Sequence, residues 1–296
     1  MIGLAEHASQ RLALCAQKAL LYEVSVTPKP GLVDRAGSGA HRDMDFYSFL
    51  DSATALLPYF ERCAACGEEA AERRREQTGR QGQAPEDAWL QDLLPALRQY
   101  GILAEQAMLR ATGGVNTHKG AIFLLGLLTA AAGICRSQEN RTEEDVLDTA
   151  ARIAAPALGD FSDASLKQTA GLAQQKQYGL GGIRQEAAAG FPSIRNTALP
   201  VLKKALAAGK SINDAGVEAI LQLILTVDDS TLIKRCGSPA AVQAERDRLR
   251  ALLEKMTPLQ AAKVLDADWS ARGISAGGCA DLLGGAFFLL FQQEEM

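Results

Sequence analysis

The sequence predicts an all-α protein, a single-domain bundle of many helices with glycine-edged loops gathered at one end. Apolar residues recur at helical spacing over residues 4–22 and 46–60, as they do on amphipathic helices. Alternation with the period of a strand is hard to find, and only Tyr22–Val26 could form a short strand. The chain has 296 residues, 47% of them apolar, so it can bury one large core, and we treat residues 1–296 as one domain.

Start signals mark several of the further helices. Thr142, followed three residues later by Asp145, matches a capping box, in which each side chain bonds the backbone of the other residue. Ser238 and Thr257 each precede a proline, which is favoured at the first helical position. The predicted helices span residues 86–111, 117–135, 142–156, 195–208, 212–227, 239–256 and 278–293.

Residues 67–88 differ from the rest of the chain because they are charged, contain glycine and include few apolar side chains. Such a composition buries too little apolar surface to offset the entropy of ordering the chain. We therefore expect a mobile surface loop over residues 67–88, between two helices of the same domain.

Charge and cysteine content argue against several classes of protein. The formal net charge is −4, so no overall positive field attracts nucleic acid or an acidic membrane surface. The longest apolar run, residues 121–135, is shorter than the roughly 20 residues that a membrane-spanning helix needs. Six scattered cysteines, in a chain without a signal-peptide pattern, indicate reduced thiols. We expect a cytoplasmic protein without nucleic-acid or membrane partners.

The most informative segment is residues 113–120, Gly-Gly-Val-Asn-Thr-His-Lys-Gly, at the start of an apolar helix. Glycines let a backbone approach a ligand closely, and a helix N-terminus favours anions, to which Lys119 adds a full charge. The candidate phosphate ligands here are Asn116, Thr117, His118 and Lys119. An ordinary helix start explains the same pattern equally well, with Thr117 as the N-cap and Lys119 in solvent.

A second polar segment spans residues 27–45. Pro28 and Pro30 fix the backbone on either side of Lys29, so this loop is stiff enough to aim charges at a ligand. Its candidate site residues are the cations Lys29 and Arg35, the carboxylates Asp34, Asp43 and Asp45, and His41. In a loop, Asp43 and Asp45 could share one hard cation; alternatively, one of them caps the helix that begins near Phe46.

Carboxylates also lie at the ends of two later apolar helices. Asp228 and Asp229 follow a buried helix, whose negative dipole end disfavours them. Either Mg²⁺ or Arg235 folding back would compensate these charges, and a simple ion pair is the plainer explanation. Asp281 follows two glycines at the start of the last helix. Together these loops predict a bundle end where cations and carboxylates surround a ligand, a set that fits Mg²⁺ with a polyphosphate.

These segments resemble the triphosphoribosyl-dephospho-coenzyme A synthase family, and the similarity extends over nearly the whole chain. The matching motifs are TPKPGLVDR (27–35), GAHRDMD (39–45), GVNTHKG (114–120), YGLGGIRQEAAAGFP (178–192), DSTLIKRCG (229–237) and GISAGGCADLL (273–283). The first and third motifs are highly specific. The chain departs from the family's pattern at positions that include Gln185, Cys236 and Cys279, where loop geometry is affected, but it keeps the charged groups.

The resemblance implies one catalytic domain that transfers the triphosphoribosyl group of ATP to the 2′-hydroxyl of 3′-dephospho-coenzyme A, with adenine leaving. The product would be the precursor of the prosthetic group of an acyl carrier protein, that of citrate lyase or of malonate decarboxylase. Functional partners would be a holo-acyl carrier protein synthase and the carrier subunit, and a homodimer is possible. Attack at an anomeric carbon passes through an oxocarbenium-like state, which nearby carboxylates stabilise.

With this reaction in view, we assign hypothetical roles by charge type and loop context. The phosphate ligands are Lys29, Arg35, Asn116, Thr117, His118, Lys119 and Arg235. Magnesium ligands are Asp43, Asp45, Asp229 and Asp281, of which Asp229 is also a catalytic candidate beside the sugar. Asp34 or Glu23 serves as the base for the attacking hydroxyl. His41, with a reference pKa of about 6.5, protonates the departing adenine.

Two alternative functions stay open. A Mg²⁺-dependent hydrolase of nucleotide N-glycosidic bonds would use water in place of the hydroxyl and would release adenine from ATP alone. A non-catalytic helical nucleotide-binding regulator would bind ATP without turning it over. The carboxylates beside the cations argue against the regulator, because a phosphate binder gains nothing from nearby negative charge.

Overall fold

A computed structural model describes residues 8–78, 88–136, 141–161 and 176–294, and over these ranges it contains helices and no strand. The α-helices are α1 (Ala8–Ser25), α2 (Phe46–Ala55), α3 (Leu57–Thr78), α4 (Ala88–Gln91), α5 (Leu93–Ala111), α6 (Lys119–Cys135), α7 (Glu143–Ala154), α8 (Gly182–Ala188), α9 (Leu199–Ala207), α10 (Ile212–Thr226), α11 (Ser230–Cys236), α12 (Pro239–Leu253), α13 (Pro258–Arg272) and α14 (Gly277–Glu294). A 3₁₀-helix follows α7, and one π-helical turn precedes α9. The all-α prediction is confirmed.

Helix starts follow the predicted capping signals. The side chain of Thr142 accepts a hydrogen bond from the backbone N–H of Asp145, which accepts one from Thr142 in return, so the capping box at α7 is complete. Ser238 caps α12 by accepting the backbone N–H of Ala241, and Thr257 forms a reciprocal box with Gln260 at α13; each lies directly before its proline. These bonds satisfy donors that a helix N-terminus would otherwise leave without partners.

Two apolar helices, α6 and α14, form the centre of the bundle. Almost every residue of α6 from Ala121 to Cys135 is buried. Helix α6 packs against α1, α3, α5, α7 and α14, while α14 packs against α1, α6, α9, α10 and α11. The first turns of both helices line one cavity, which places their N-termini at the same end of the bundle.

The loop prediction is wrong where the structure describes it. The expected mobile loop at 67–88 is helical as far as Thr78, because α3 continues along α6. A Cβ at Gly67 would lie 2.1 Å from the carbonyl oxygen of Ala130, so a glycine is what lets the two backbones pack. Residues 79–87 lie outside the described ranges. Tyr22–Val26, the one segment that could have formed a strand, is the last turn of α1 and the residue after it, as the all-α prediction requires.

None of the helices in the described ranges combines the length and the hydrophobicity that crossing a lipid bilayer requires.

Candidate active site

Polar segments that are far apart in the sequence line one cavity of about 290 Å³ at the end of the bundle where α6 and α14 begin. Its walls come from α1 and the loop that follows it, from residues 116–120, from α11, and from residues 275–281. The loop after α1 also packs against α13 and the residues that lead from α13 to the segment 275–281. A Cβ at Gly31 would lie 1.9 Å from the carbonyl oxygen of Ile274, and Gly31 donates its backbone N–H to Asp266 of α13 at 2.9 Å.

A buried ion pair between Lys29 and Glu23 lies at the inner side of the cavity. Lys29 is 1% exposed and Glu23 is 4% exposed, so neither charge has much contact with water. Burial raises the pKa of Glu23, although the ammonium of Lys29 opposes that shift. The pair places one acidic and one cationic group where a ligand would be shielded from solvent.

Asp281 connects α14 to α6 and also lines the cavity. Its carboxylate accepts a hydrogen bond from the backbone N–H of Ala121, in the first turn of α6. The N-cap residue of α6, His118, makes no side-chain capping bond of its own. Burial raises the pKa of Asp281 well above its usual range, and the negative charges of Glu23 and Asp229 add to that shift.

Three buried side-chain atoms in the cavity wall have no hydrogen-bond partner among the described residues: Thr117 Oγ1, His118 Nε2 and Ser275 Oγ. Buried polar atoms without partners are rare in native proteins, because each costs about 1–3 kcal/mol. Three such atoms in one cavity indicate that a polar ligand completes their hydrogen bonds.

His118 enters the cavity as a neutral ring. Its side chain is 3% exposed, and its Nδ1 atom lies 2.7 Å from the hydroxyl of Ser52. Burial lowers the pKa of His118 to about 3, and the charge of Lys29 contributes to that shift. A neutral imidazole offers a ligand one N–H donor and one acceptor but no positive charge. The assignment of His118 to phosphate stays a prediction, now with a neutral ring.

The exposed side chains of the cavity wall include the cations Lys119 and Arg235 and the carboxylate of Asp43. The ammonium of Lys119 contacts Glu105 at 2.7 Å, and the guanidinium of Arg235 donates to the carbonyl oxygen of Gly273 at 3.2 Å. Both cations keep donors available to a ligand, because an ammonium has three and a guanidinium five.

His41 is half-buried in the same wall. Burial lowers the pKa of His41, and the charge of Arg235 lowers it further, while Asp43 opposes the shift. At neutral pH the ring is therefore less protonated than an exposed histidine. The lowered pKa of His41 therefore argues against this residue as the source of the proton for adenine.

Asp229 does not line the cavity, contrary to its expected metal-binding and catalytic roles. One of its oxygens accepts from the backbone N–H groups of Thr231 and Leu232 at the start of α11, and the other accepts from Cys279 in α14. The side chain is 2% exposed. These three bonds make Asp229 a shared cap for two helices and leave no oxygen facing a ligand.

The charges of Asp228 and of the end of α10 are compensated by a residue that the sequence reading did not consider. Arg246 donates to the carbonyl oxygens of Ile224 and Val227 and to the carboxylate of Asp228, at 3.0, 2.5 and 3.2 Å. Neither Mg²⁺ nor Arg235 is needed there, and the plainer explanation of an ion pair is correct.

Three further candidates also have structural roles outside the cavity wall. Asp45 caps α2 in a reciprocal box with Ser48, as the alternative for this residue proposed. Asp34 accepts from the backbone N–H groups of Lys29, Ala36 and Gly37, which closes its own loop. Arg35 donates to the carbonyl oxygen of Ser25 and to Asn213, and it borders a separate cavity with Tyr22 and Phe287.

The ordinary reading of residues 113–120 as a helix start is partly right. Gly113 and Gly114 have positive φ angles and end α5. The side chain of Asn116, not Thr117, accepts the backbone N–H of Lys119 at the start of α6, at 3.2 Å. Thr117 is thereby free to turn its hydroxyl to the cavity.

Some residues of the site were not predicted from the sequence. Ser275 lay in a recognised motif, but no role was assigned to it, and Phe49 belonged to an apolar stripe. Ser52 lies inside α2 and reaches the site only through His118. A single serine within a helix is too common to mark a site, so three-dimensional proximity was needed to find it.

Two of the departures from the family's pattern are accommodated by backbone bonds. Gln185 accepts from the backbone N–H of Gly181 at the start of its own helix. Cys279 is buried and donates its backbone N–H to Asp229, and its thiol also forms a hydrogen bond with that carboxylate. Cys236 is half-buried, and nothing in the structure explains its side chain.

Fold and site together define an all-α protein with a partly buried cavity lined by cations, carboxyl groups and unpartnered polar atoms. The sequence model of one family, CitG, described as ATP:dephospho-CoA triphosphoribosyl transferase, matches residues 9–295. The chain belongs to that transferase family. No solved structure matches it.

Curated relatives match over most of their length. A protein of Klebsiella pneumoniae named 2-(5''-triphosphoribosyl)-3'-dephosphocoenzyme-A synthase is 36% identical over 95% of this chain and 90% of its own. A protein of the same name from Pectobacterium atrosepticum is 38% identical over 90% of this chain and 83% of its own.

Proposed function

We propose that this protein transfers the triphosphoribosyl group of ATP to the 2′-hydroxyl of 3′-dephospho-coenzyme A and releases adenine. The observation that carries the proposal is one cavity in which a buried and a half-buried carboxyl group, a buried lysine, unpartnered polar atoms and exposed cations meet. Membership of the transferase family and the names of the relatives support the same reaction.

The triphosphate is held by the exposed cations of the cavity wall. Lys119 and Arg235 supply charge-assisted hydrogen bonds, each of which contributes roughly 1.5–3 kcal/mol. The exposed position suits this part of the substrate, because the triphosphate is the most strongly hydrated part of ATP. Arg35, which borders the separate cavity, is not among these ligands.

The sugar lies beside the buried groups. As the bond between the anomeric carbon and adenine breaks, positive charge develops on the sugar, and the carboxyl groups of Glu23 and Asp281 stabilise it. A bond forms from the 2′-oxygen of the acceptor to the same carbon, and the hydroxyl proton passes to Glu23. Glu23 is the base in this scheme because the other candidate, Asp34, is bonded to three backbone N–H groups.

Adenine leaves more readily when it takes up a proton. Asp281 is a better donor than His41, since the pKa of the carboxyl group is raised while that of the imidazole is lowered. Glu23 and Asp281 thus form an acid–base pair in which one accepts the proton of the nucleophile and the other supplies that of the leaving group.

The residues do not fit a resident magnesium site. Among the described residues, no group of three or more histidine, cysteine, aspartate or glutamate side chains is arranged to hold a metal ion. Asp45 and Asp229 are occupied by backbone N–H groups. We propose instead that magnesium enters as part of the Mg·ATP substrate. Asp43, the exposed carboxylate in the cavity wall, is the residue that would contact this magnesium ion.

Mass spectrometry of the products from ATP with 3′-dephospho-coenzyme A tests the proposal. We expect adenine and a product heavier than the acceptor by one triphosphoribosyl unit, and little adenine when the acceptor is omitted. Adenine at full rate from ATP alone would instead identify a hydrolase, and tight ATP binding with neither product would identify a regulator. The carrier-protein partners, the homodimer and the cytoplasmic location stay predictions.

A further inference from the structure

The ring of His118 is held on two sides, and its backbone is held as well. The hydroxyl of Ser52 lies 2.7 Å from Nδ1, and Phe49 meets the ring edge to face with 4.8 Å between the ring centroids. The backbone N–H of His118 points to the sulfur of Met108 at 3.2 Å. Ser52 is wholly buried, so water does not compete for its hydroxyl.

The remaining nitrogen of the ring, Nε2, belongs to the cavity wall. Nε2 is buried and lacks a partner among the described residues, while the ring lines the cavity. A neutral imidazole carries its one proton on either Nδ1 or Nε2, and the hydrogen bond at the first nitrogen decides which. The direction of the hydrogen bond between Ser52 and His118 therefore decides whether Nε2 presents a donor or an acceptor to a ligand in the cavity.

The two directions differ in what they leave unsatisfied once a ligand is bound. If Nδ1–H donated to Ser52, the serine proton would have no acceptor within the described structure, since His118 is the hydroxyl's one partner there. If Ser52 donates to Nδ1, each donor has an acceptor in the complex, and only a hydroxyl lone pair stays unused. A buried donor without a partner is the costlier of the two defects.

We propose that Ser52 is a positioning residue whose hydroxyl donates to Nδ1 of His118, so that Nε2 carries the proton and donates to an acceptor atom of the bound nucleotide. In this arrangement His118 cannot act as the base for the attacking hydroxyl, because the nitrogen that faces the cavity has no free lone pair. The ligand half of this inference rests on the proposed function, whereas the tautomer is a property of the free protein.

Nitrogen-15 NMR of the ring nitrogens of His118 tests the tautomer without any substrate. The chain contains three histidines, and loss of a signal in His118→Gln assigns the resonances. We expect a pyrrole-like Nε2 that carries the proton and a pyridine-like Nδ1 in the wild type. In Ser52→Ala this preference should be lost and both tautomers populated, while Ser52→Thr, which keeps a hydroxyl, should restore it. A proton on Nδ1 of the wild type would overturn the inference.

Kinetics then test the role of the donor. Ser52→Ala should lower kcat/KM for ATP about tenfold, the equivalent of one net hydrogen bond, and Ser52→Thr should regain most of that loss. His118→Gln, whose amide N–H can reach towards the position of Nε2, should retain more activity than His118→Asn. Equal activity of Ser52→Ala and wild type would overturn the positioning role.

The outcomes separate this inference from the proposed function. A proton on Nε2 in a protein that transfers no triphosphoribosyl group would remove the function and leave the tautomer in place. Transfer of the triphosphoribosyl group by a protein whose His118 carries its proton on Nδ1 would remove the tautomer and leave the proposed function in place.

Discussion

Gly120 and Asp281 meet so closely that no larger residue fits at position 120. A Cβ built on Gly120 would lie 1.9 Å from Oδ2 of Asp281, far inside contact distance. The same carboxyl group accepts the next backbone N–H, that of Ala121. The last glycine of the segment 114–120 is therefore explained by a residue more than a hundred positions away, and their contact joins the two central helices at the cavity.

Replacement of Gly120 by Ala should force Asp281 or the start of α6 to move. We expect the free energy of unfolding to fall by about 1–3 kcal/mol, the usual cost of overpacking, and transferase activity to fall with it. Urea unfolding and adenine release measure the two effects. Gly37→Ala is the matched control, because no heavy atom lies within 4 Å of a Cβ there.

A double-mutant cycle checks the cause. If the clash with Asp281 is responsible, Gly120→Ala should cost less stability in an Asp281→Ala background. Additive effects of the two substitutions would show that the clash is not the reason.

Replacement of Lys119 by Ala should weaken ATP binding. Loss of one charge-assisted hydrogen bond predicts an apparent KM for ATP that rises roughly tenfold, with the free energy of unfolding nearly unchanged because the pair with Glu105 is exposed. Steady-state kinetics provide the measurement, and Lys210→Ala, an exposed paired lysine outside the cavity wall, provides the control. Unchanged kinetics would remove Lys119 from the site.

Replacement of Asp229 by Asn separates a capping role from a chemical one. The amide nitrogen of asparagine would face the backbone N–H of a capped helix, so one bond of the shared cap becomes a repulsion between donors. We expect the free energy of unfolding to fall by about 1–3 kcal/mol. The control is Asp228→Asn, which alters only an exposed ion pair. Lost turnover with unchanged stability would return Asp229 to the catalytic residues.

The neutral ring of His118 predicts a dependence of stability on pH. Its pKa is about 3 in the folded protein and about 6.5 in the unfolded chain. Between these pH values the unfolded chain binds more protons than the folded protein. The contribution of the neutral His118 to the free energy of unfolding is therefore complete above pH 6.5 and is lost as the pH falls. From pH 7 to pH 5 the loss amounts to about 2 kcal/mol. Unfolding free energies of the wild type and His118→Gln should diverge by that amount, and parallel curves would contradict the assignment.

Helical periodicity and capping signals were sufficient to predict most of the fold. The box at Thr142 and the prolines after Ser238 and Thr257 specify helix starts locally, and the structure has all three. The end of α3 could not be predicted, because its charged composition is typical of a loop and gives no indication that Gly67 packs against Ala130. That contact is between residues distant in sequence, so no local pattern reports it.

Candidate site residues were predictable as a group and less so one by one. Glycines, cations and carboxylates identified the segments that converge. Charge type alone could not tell a carboxylate that faces the cavity, such as Asp281, from one that caps helices, such as Asp229. Both lie near a helix start, Asp229 as the N-cap of α11 and Asp281 early in α14. Only the direction of the side chain separates them.

Photo-crosslinking with an azido-adenine analogue of ATP tests most directly whether the converging segments bind the nucleotide. After proteolysis, we predict label on peptides that carry residues 41–49, 116–120, 231–235 or 275–281, and protection of those peptides by unmodified ATP. Label confined to the separate cavity around Ile212 and Asn213, with none on the four segments, would contradict the account.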